Sequence, residues 1–186
     1  MFAVMKPTPN KWRTLDSKRI YDNPWIEVQE DQIINPSGKP GIYGKVIFKN
    51  LAVAIIPLDE EMNTWIVGQH RYTLNEYSWE LPMGGVPFNE DPLLGAQREL
   101  LEETGITATR WSTLLKMHTS NSVTDELAYS FVAKGLTLGT PQFDETEDLQ
   151  IKKLPFTEVV DLVMQGDITD GLSVGSILKL ARQLEL

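Results

Sequence analysis

Short apolar runs, broken by polar and glycine- or proline-containing segments, set out most of this chain's elements. Leu51 to Leu58 is a nearly continuous apolar run of strand length, and Thr64 to Gln69 follows it across the polar connection Asp59-Glu60-Glu61-Met62-Asn63. Runs of this kind predict central strands buried on both faces. Upstream, Tyr21 to Phe48 predicts strands around a turn. Trp25-Ile26-Glu27-Val28 alternates, Asn35-Pro36-Ser37-Gly38-Lys39 turns, and Tyr43 to Phe48 is extended again. Downstream, Trp111 to Met117, Leu127 to Ala133 and Ile151 to Leu154 read as strands. Phe156 to Gln165 reads as a helix stopping at Gly166, and Ser173 to Leu184 as a last amphipathic helix. No internal repeat and no low-complexity stretch is present.

Between the two groups of strands lies a segment with a different pattern, Gly84-x5-Glu90-x7-Arg98-Glu99-Leu100-x-Glu102-Glu103-x-Gly105-Ile106. Asp91 is a good N-cap, and Pro92 suits the first helical position because its missing N–H would have no partner there. Gly105 can end the helix in the left-handed conformation. At ~100° per residue, Glu99, Glu102 and Glu103 fall within about a 100° arc. Leu93, Leu94, Leu100, Leu101 and Thr104 lie on the opposite side, interrupted by Gln97, so one face is expected to pack while the other concentrates negative charge. Like charges four residues apart cost an isolated helix roughly 0.2–0.5 kcal/mol, so Glu99 and Glu103 call for a neutralising cation. Arg98, four residues before Glu102, can hold that carboxylate in orientation. Just upstream, Glu80-Leu81-Pro82-Met83-Gly84-Gly85 reads as a turn whose glycines let backbone approach the acidic helix. Carboxylate oxygens without Cys or His favour Mg²⁺ or Mn²⁺ over zinc.

Composition narrows the chemistry. The 186 residues suffice for one domain with a real core. A net charge of −9 argues against a nucleic-acid backbone as partner, so an anionic substrate must be received by local positive charge and metal. There is no cysteine, which excludes disulfides, thiolate catalysis and thiolate metal sites. The opening MFAVMKPTPNKW has too short an apolar stretch for a signal peptide, and no window is long enough to span a bilayer. The expectation is therefore a cytoplasmic protein with no membrane partner.

The spaced residues from Gly84 to Ile106 resemble, at every position, the signature of the Nudix hydrolases, which cleave nucleoside diphosphates linked to another moiety. The resemblance implies an α/β (α+β) fold, an α/β/α sandwich with a mixed central sheet. Here an N-terminal antiparallel β-ribbon over residues 1–50 is expected to pack on a hydrolase domain at 51–186, effectively as one domain. It also implies that Glu99 and Glu103 are the principal ligands of Mg²⁺ or Mn²⁺, with Glu102 and the Met83 carbonyl as further donors and Glu103 taking part in catalysis. Glu90, Arg98 and Gly105 complete the box structurally. Glu80 and Gly84 are expected near substrate.

The flanks bear on the substrate. Arg71, ending a strand in Gln69-His70-Arg71-Tyr72, offers a planar fork to phosphate oxygens or to a structural carboxylate. The sugar-nucleotide Nudix enzymes place an arginine there on the diphosphate. His70 should face the other side of that strand, in a structural role. The polar loop Thr119 to Glu126 resembles the loop carrying the catalytic glutamate of ADP-ribose pyrophosphatases, which makes Glu126 the group that deprotonates or orients water. Asn121 stands where that branch has a proline, pointing to a wider nucleotide-sugar range. Glu147, within Asp144-Glu145-Thr146-Glu147-Asp148, matches the base or metal ligand of other members. Trp25 and Tyr43, either side of the Asn35–Lys39 turn, match two aromatics that sandwich the base, often one from each subunit; stacking of this kind does not name the base. The resemblance thus implies a homodimeric, metal-dependent hydrolase of a nucleoside diphosphate sugar such as ADP-ribose or GDP-mannose, acting on a small-molecule substrate and not on nucleic acid. The alternatives are a Nudix hydrolase of dinucleoside polyphosphates or dNTPs, and a non-catalytic nucleotide-sugar sensor.

Overall fold

The structure, a computed structural model, describes residues 7–141 and 149–186. They form two compact units, one of residues 7–49 with 122–125 and the other of the remaining described residues. The first is a three-stranded antiparallel sheet of β1 (Arg13–Asp22), β2 (Ile26–Ile34) and β3 (Pro40–Phe48), in that order. The predicted Asn35–Lys39 turn joins β2 to β3. Asn35 closes it, its side chain accepting from the Ser37 and Lys39 amides at 3.0 and 3.1 Å. β1 was not foreseen from the sequence. It is exposed along its whole length, so no hydrophobic alternation marks it. It is held by its antiparallel ladder with β2 and by Ser17, which donates to buried Asp31, whose carboxylate also lies 2.6 Å from Lys45 of β3. Residues 122–125 join the far edge of β3, where the Val46 amide donates to the Val123 carbonyl at 2.9 Å.

The second unit holds a mixed four-stranded sheet ordered β7 (Met83–Pro87), β4 (Asn50–Pro57), β9 (Leu127–Thr137) and β8 (Thr107–His118). β4 and β9 run parallel and the other pairs antiparallel. A second, antiparallel sheet is ordered β10 (Gln150–Pro155), β5 (Asn63–Arg71) and β6 (Glu76–Glu80). The apolar run predicted at Leu51–Leu58 becomes β4, and alternation along it divides the core. Val53 and Ile55 pack with Ala96 and Leu100 of α1 (Pro92–Thr104). Ala54 and Ile56 pack with Phe156 and Val159 of α2 (Phe156–Gln165) and Ile177 of α3 (Gly171–Gln183). Helices thus cover both faces, giving the expected α/β/α layering with a mixed sheet. Among the described residues no helix is long and apolar enough to cross a membrane.

The helix ends follow their local signals. Asp91 caps α1, its side chain accepting from the Leu93 amide at 2.8 Å, and Gly105 closes it at φ 71°. Gly166 ends α2 as expected. Two expectations need correction. Glu80–Gly85 is not a turn: β6 ends at Glu80, β7 begins at Met83, and only Leu81 and Pro82 connect them. Pairing with β4 overrides the weak strand preference of the two glycines. The packing face of α1 is also rotated from the one expected. Leu94 is exposed, whereas Gly95, Ala96, Glu99, Leu100, Glu103 and Thr104 are buried. The carboxylates face inward because β7 offers them a glycine and a backbone amide.

Candidate active site

Glu99, Glu102, Glu103 and Arg98 gather where α1 meets the start of β7. Glu99 is 8% exposed and Glu103 2%. Burying ionised carboxylates is costly unless hydrogen bonds and opposite charge replace water. Both are provided. Glu103 Oε2 accepts from the Met83 amide at 2.9 Å. Glu99 Oε1 accepts from Arg98 Nη1 at 2.7 Å, and the same nitrogen reaches Glu102 Oε2 at 3.0 Å. Arg98 Nη2 donates to the Gly85 carbonyl at 3.1 Å. One guanidinium therefore ties two carboxylates to the strand, including Glu102 as its spacing predicts. Burial works to lower the Arg98 pKa, but Glu99 and Glu102 outweigh it and hold it above its ordinary value.

Gly84 makes room for this arrangement. A Cβ built there would lie 2.1 Å from Glu99 Cδ and 2.2 Å from its Oε2. The space of the missing side chain is filled by the carboxylate itself. Gly84 was expected near substrate; what the structure puts against it is Glu99.

Arg71 and Glu80, both expected at substrate, are joined to each other. Arg71 Nε donates to Glu80 Oε1 at 2.9 Å, and a second nitrogen meets Oε2. The bond to Glu80 leads the causes that raise the Arg71 pKa, against burial; attraction from Glu80, Asp170 and Glu103 adds to it. Arg71 is thus an electrostatic neighbour of the acidic helix. His70 is exposed, and its Nε2 lies 3.4 Å from Asn75 Oδ1.

Glu126 is half-buried at the start of β9, and its carboxylate accepts from the Thr119 hydroxyl. Glu147 lies outside the described residues. Glu90 is half-buried, its amide donating to the Pro87 carbonyl at 2.9 Å in the turn that leads into α1.

Within the first unit the two expected aromatics stand apart. The Lys49 amide donates to the Trp25 carbonyl, whereas Tyr43 sits opposite Asp31 in the register of β2 and β3. Six residues of strand separate Lys49 from Tyr43, roughly 20 Å at ~3.3 Å per residue. One chain therefore does not form the sandwich. Tyr43 instead meets Trp12 edge-on, with centroids 5.6 Å apart. Both border a cavity of about 300 Å³ lined also by Asn10, Thr14, Asp31 and Ile33. Trp12 went unnoticed in the sequence because it precedes a strand with no pattern.

Among the described residues no group of three or more histidine, cysteine or carboxylate side chains is gathered ready to hold a metal. Glu99 and Glu102 are turned onto Arg98 and Glu103 onto Met83. The donor set nonetheless suits a hard divalent cation. It is all oxygen, two of its carboxylates are buried one turn apart, and Gly84 is cut away to admit one of them.

Comparison with known proteins gives the family of the chain. The family model described as NUDIX domain matches residues 48–170, and that described as nucleoside diphosphate sugar hydrolase N-terminal domain matches residues 12–46. An ADP-ribose pyrophosphatase of Mycobacterium tuberculosis is 30% identical over 171 residues, covering 90% of this chain and 82% of that protein. A methanol dehydrogenase activator of Bacillus methanolicus is 28% identical over 173 residues, covering 92% and 93%. The crystal structure of an ADP compounds hydrolase superposes with a TM-score of 0.85 at 20% identity, covering 97% of each chain, a likeness of fold.

Proposed function

Because this chain belongs to the NUDIX family, we propose that it is a divalent-metal-dependent hydrolase that cleaves the diphosphate of a nucleoside diphosphate sugar, giving a nucleoside monophosphate and a sugar phosphate. The observation that carries the reading is the pair of buried carboxylates, Glu99 and Glu103, one turn apart against a strand whose Gly84 leaves room for the first. The match of residues 12–46 to a nucleoside diphosphate sugar hydrolase N-terminal domain supports the substrate class. The likeness to an ADP-ribose pyrophosphatase makes ADP-ribose the first compound to test.

Glu99, Glu102, Glu103 and the Met83 carbonyl would hold the metal, Mg²⁺ or Mn²⁺. When bound, such a cation lowers the pKa of water and neutralises charge developing at phosphorus. The remaining work falls to the chain. Arg98 holds Glu99 and Glu102 in orientation. Arg71, already fixed by Glu80, keeps guanidinium N–H groups for a diphosphate oxygen. Glu126 or Glu147 takes the proton of the attacking water. Glu90 and Gly105 frame the helix that carries the ligands. Trp25 and Tyr43, too far apart to hold one base together, fit a base bound with one aromatic from each of two subunits. The fully exposed β1, with Leu15 and Ile20 open to solvent, supports a homodimer. Sedimentation equilibrium showing a monomer at micromolar concentration would remove the dimer.

The test is product analysis in ¹⁸O-water over ADP-ribose, GDP-mannose, UDP-glucose, diadenosine tetraphosphate and dNTPs, with Mg²⁺ or EDTA. The expected result is a nucleoside monophosphate and a sugar phosphate, one of them labelled, only with metal. Release of intact nucleoside diphosphate would place attack at the sugar carbon instead. Binding without metal-dependent product would make the protein a sensor.

A further inference from the structure

We infer that Ser173, at the buried first turn of α3, is a positioning residue for the reaction: its hydroxyl fixes the Leu81-Pro82 connection and thereby sets where Met83 meets Glu103. The inference rests on the reading of Glu103 as a metal ligand. The Leu81 side chain is fully buried, and its amide donates to Ser173 Oγ at 3.0 Å. Ser173 is itself fully buried, and its own amide is held by Asp170 Oδ2 at 2.7 Å, which fixes the first turn of α3. The next two residues are tied to two other elements. The Pro82 carbonyl accepts from the Ile55 amide of β4 at 2.9 Å, and the Met83 amide donates to Glu103 of α1 at 2.9 Å. Three consecutive residues are thus pinned to α3, β4 and α1, while Glu80, just before them, is clamped by Arg71.

Proline fixes φ at Pro82, so the freedom left in this connection lies at its ends. Without the Ser173 oxygen, the Leu81 amide is a buried donor lacking a partner, a costly state that backbone movement relieves. Movement of Leu81 is passed through the stiff proline to Met83, whose amide orients Glu103 and whose carbonyl is an expected ligand. A displacement of about 1 Å at a reacting centre can cost roughly a hundredfold in rate. A purely structural bond would instead change stability and leave turnover per folded molecule unaltered.

The experiment compares wild type, Ser173→Ala, Ser173→Thr and Glu103→Gln. Turnover and KM are measured at saturating Mg²⁺ per folded molecule, and Met83 amide exchange is followed by NMR in the metal-free protein. Ser173→Ala should lower kcat by roughly ten- to a hundredfold with KM within about twofold, and the Met83 amide should exchange at least ~10-fold faster as its bond to Glu103 loosens. Ser173→Thr, which keeps the oxygen, should restore both. If Ser173→Ala does not fold, Ser173→Cys, a weaker acceptor, takes its place with the same ordering expected. Wild-type kcat and unchanged Met83 exchange in the oxygen-deleted variant, with Glu103→Gln inactive, overturn the inference. Wild-type turnover in Glu103→Gln overturns the ligand reading, and the inference with it.

Discussion

Replacing Gly84 by alanine tests how closely the site depends on a missing methyl group. The new Cβ would stand 2.1 Å from Glu99 Cδ and 2.2 and 2.5 Å from its oxygens, whereas carbon atoms in contact rest ~3.5–4.0 Å apart. The carboxylate must retreat by more than about 1 Å, the scale at which misplacement costs roughly a hundredfold in rate. It would also leave its 2.7 Å bond to Arg98. The far end of a flexible glutamate can yield without moving backbone, so overpacking should cost at the low end of the usual range, about 1 kcal/mol, or ~2–4 °C in Tm for a chain of this size. The next residue is the control. At Gly85 the same methyl would meet nothing closer than Asn50 Nδ2 at 3.5 Å, an ordinary contact. Phosphate release from ADP-ribose, coupled to phosphatase, should fall about a hundredfold in Gly84→Ala and change less than about twofold in Gly85→Ala. Equal turnover in the two variants, both folded, would refute the steric account of Gly84.

Three further outcomes follow from the same geometry. Glu103→Gln keeps the size of the side chain and removes a formal anion, so turnover should drop by roughly three orders of magnitude or more with the circular dichroism spectrum retained. Near wild-type turnover at saturating Mg²⁺ would defeat the assignment. Arg98→Lys substitutes a point charge for a fork that bonds Glu99, Glu102 and the Gly85 carbonyl; turnover should fall about tenfold, and an unchanged rate would show that one charge suffices. For Asp59, burial raises the pKa but is outweighed by Lys153, 2.8 Å away, and by the Asn63 amide, which hold it at about 2 against an ordinary 3.8. A depressed carboxylate stabilises the fold fully above its unfolded pKa, and that contribution is lost as pH falls from 3.8 through about 2. Urea titrations of wild type and Asp59→Asn should therefore converge by on the order of 1 kcal/mol between pH 6 and pH 2, allowing for solvent screening; parallel curves would rule the linkage out.

What the sequence made legible was what neighbouring residues decide. Asp91, Pro92 and Gly105 bound α1, and Gly166 stops α2, because caps are local. β4 was readable from its apolar run. β7 was not, because Met83–Pro87 contains two glycines and a proline and becomes a strand only by pairing with β4. The clustering of the acidic residues on one helix could be read from spacing, but not their burial. Nothing within α1 reveals that Gly84 has space for one carboxylate and Met83 an amide for another. That Arg71 and Glu80 bond each other has no local trace either. Asp170 and Ser173, three apart as cap and first turn, carried a helix-start signal that the amphipathic pattern concealed by pointing to Ser173 as the beginning. Its contact with Leu81 joins residues far apart in the chain and has no local trace.

The central place of β4 has a corollary for how the molecule comes into being. Val53 is flanked by Gly84 on one side and Tyr129 on the other, both later in the chain, and the second pairing is parallel. Contacts of such long sequence separation form slowly, since loop closure is paid for before they give anything back. Newly made α1, only thirteen residues long, is at best a fraying coil with repelling acids. Glu103 lacks the Met83 amide and Glu99 the space at Gly84 until β7 has zipped onto β4, and the layer beneath is complete only once β9 has been made. The surroundings of Glu99 and Glu103 are therefore assembled late, by contacts between segments far apart in the chain.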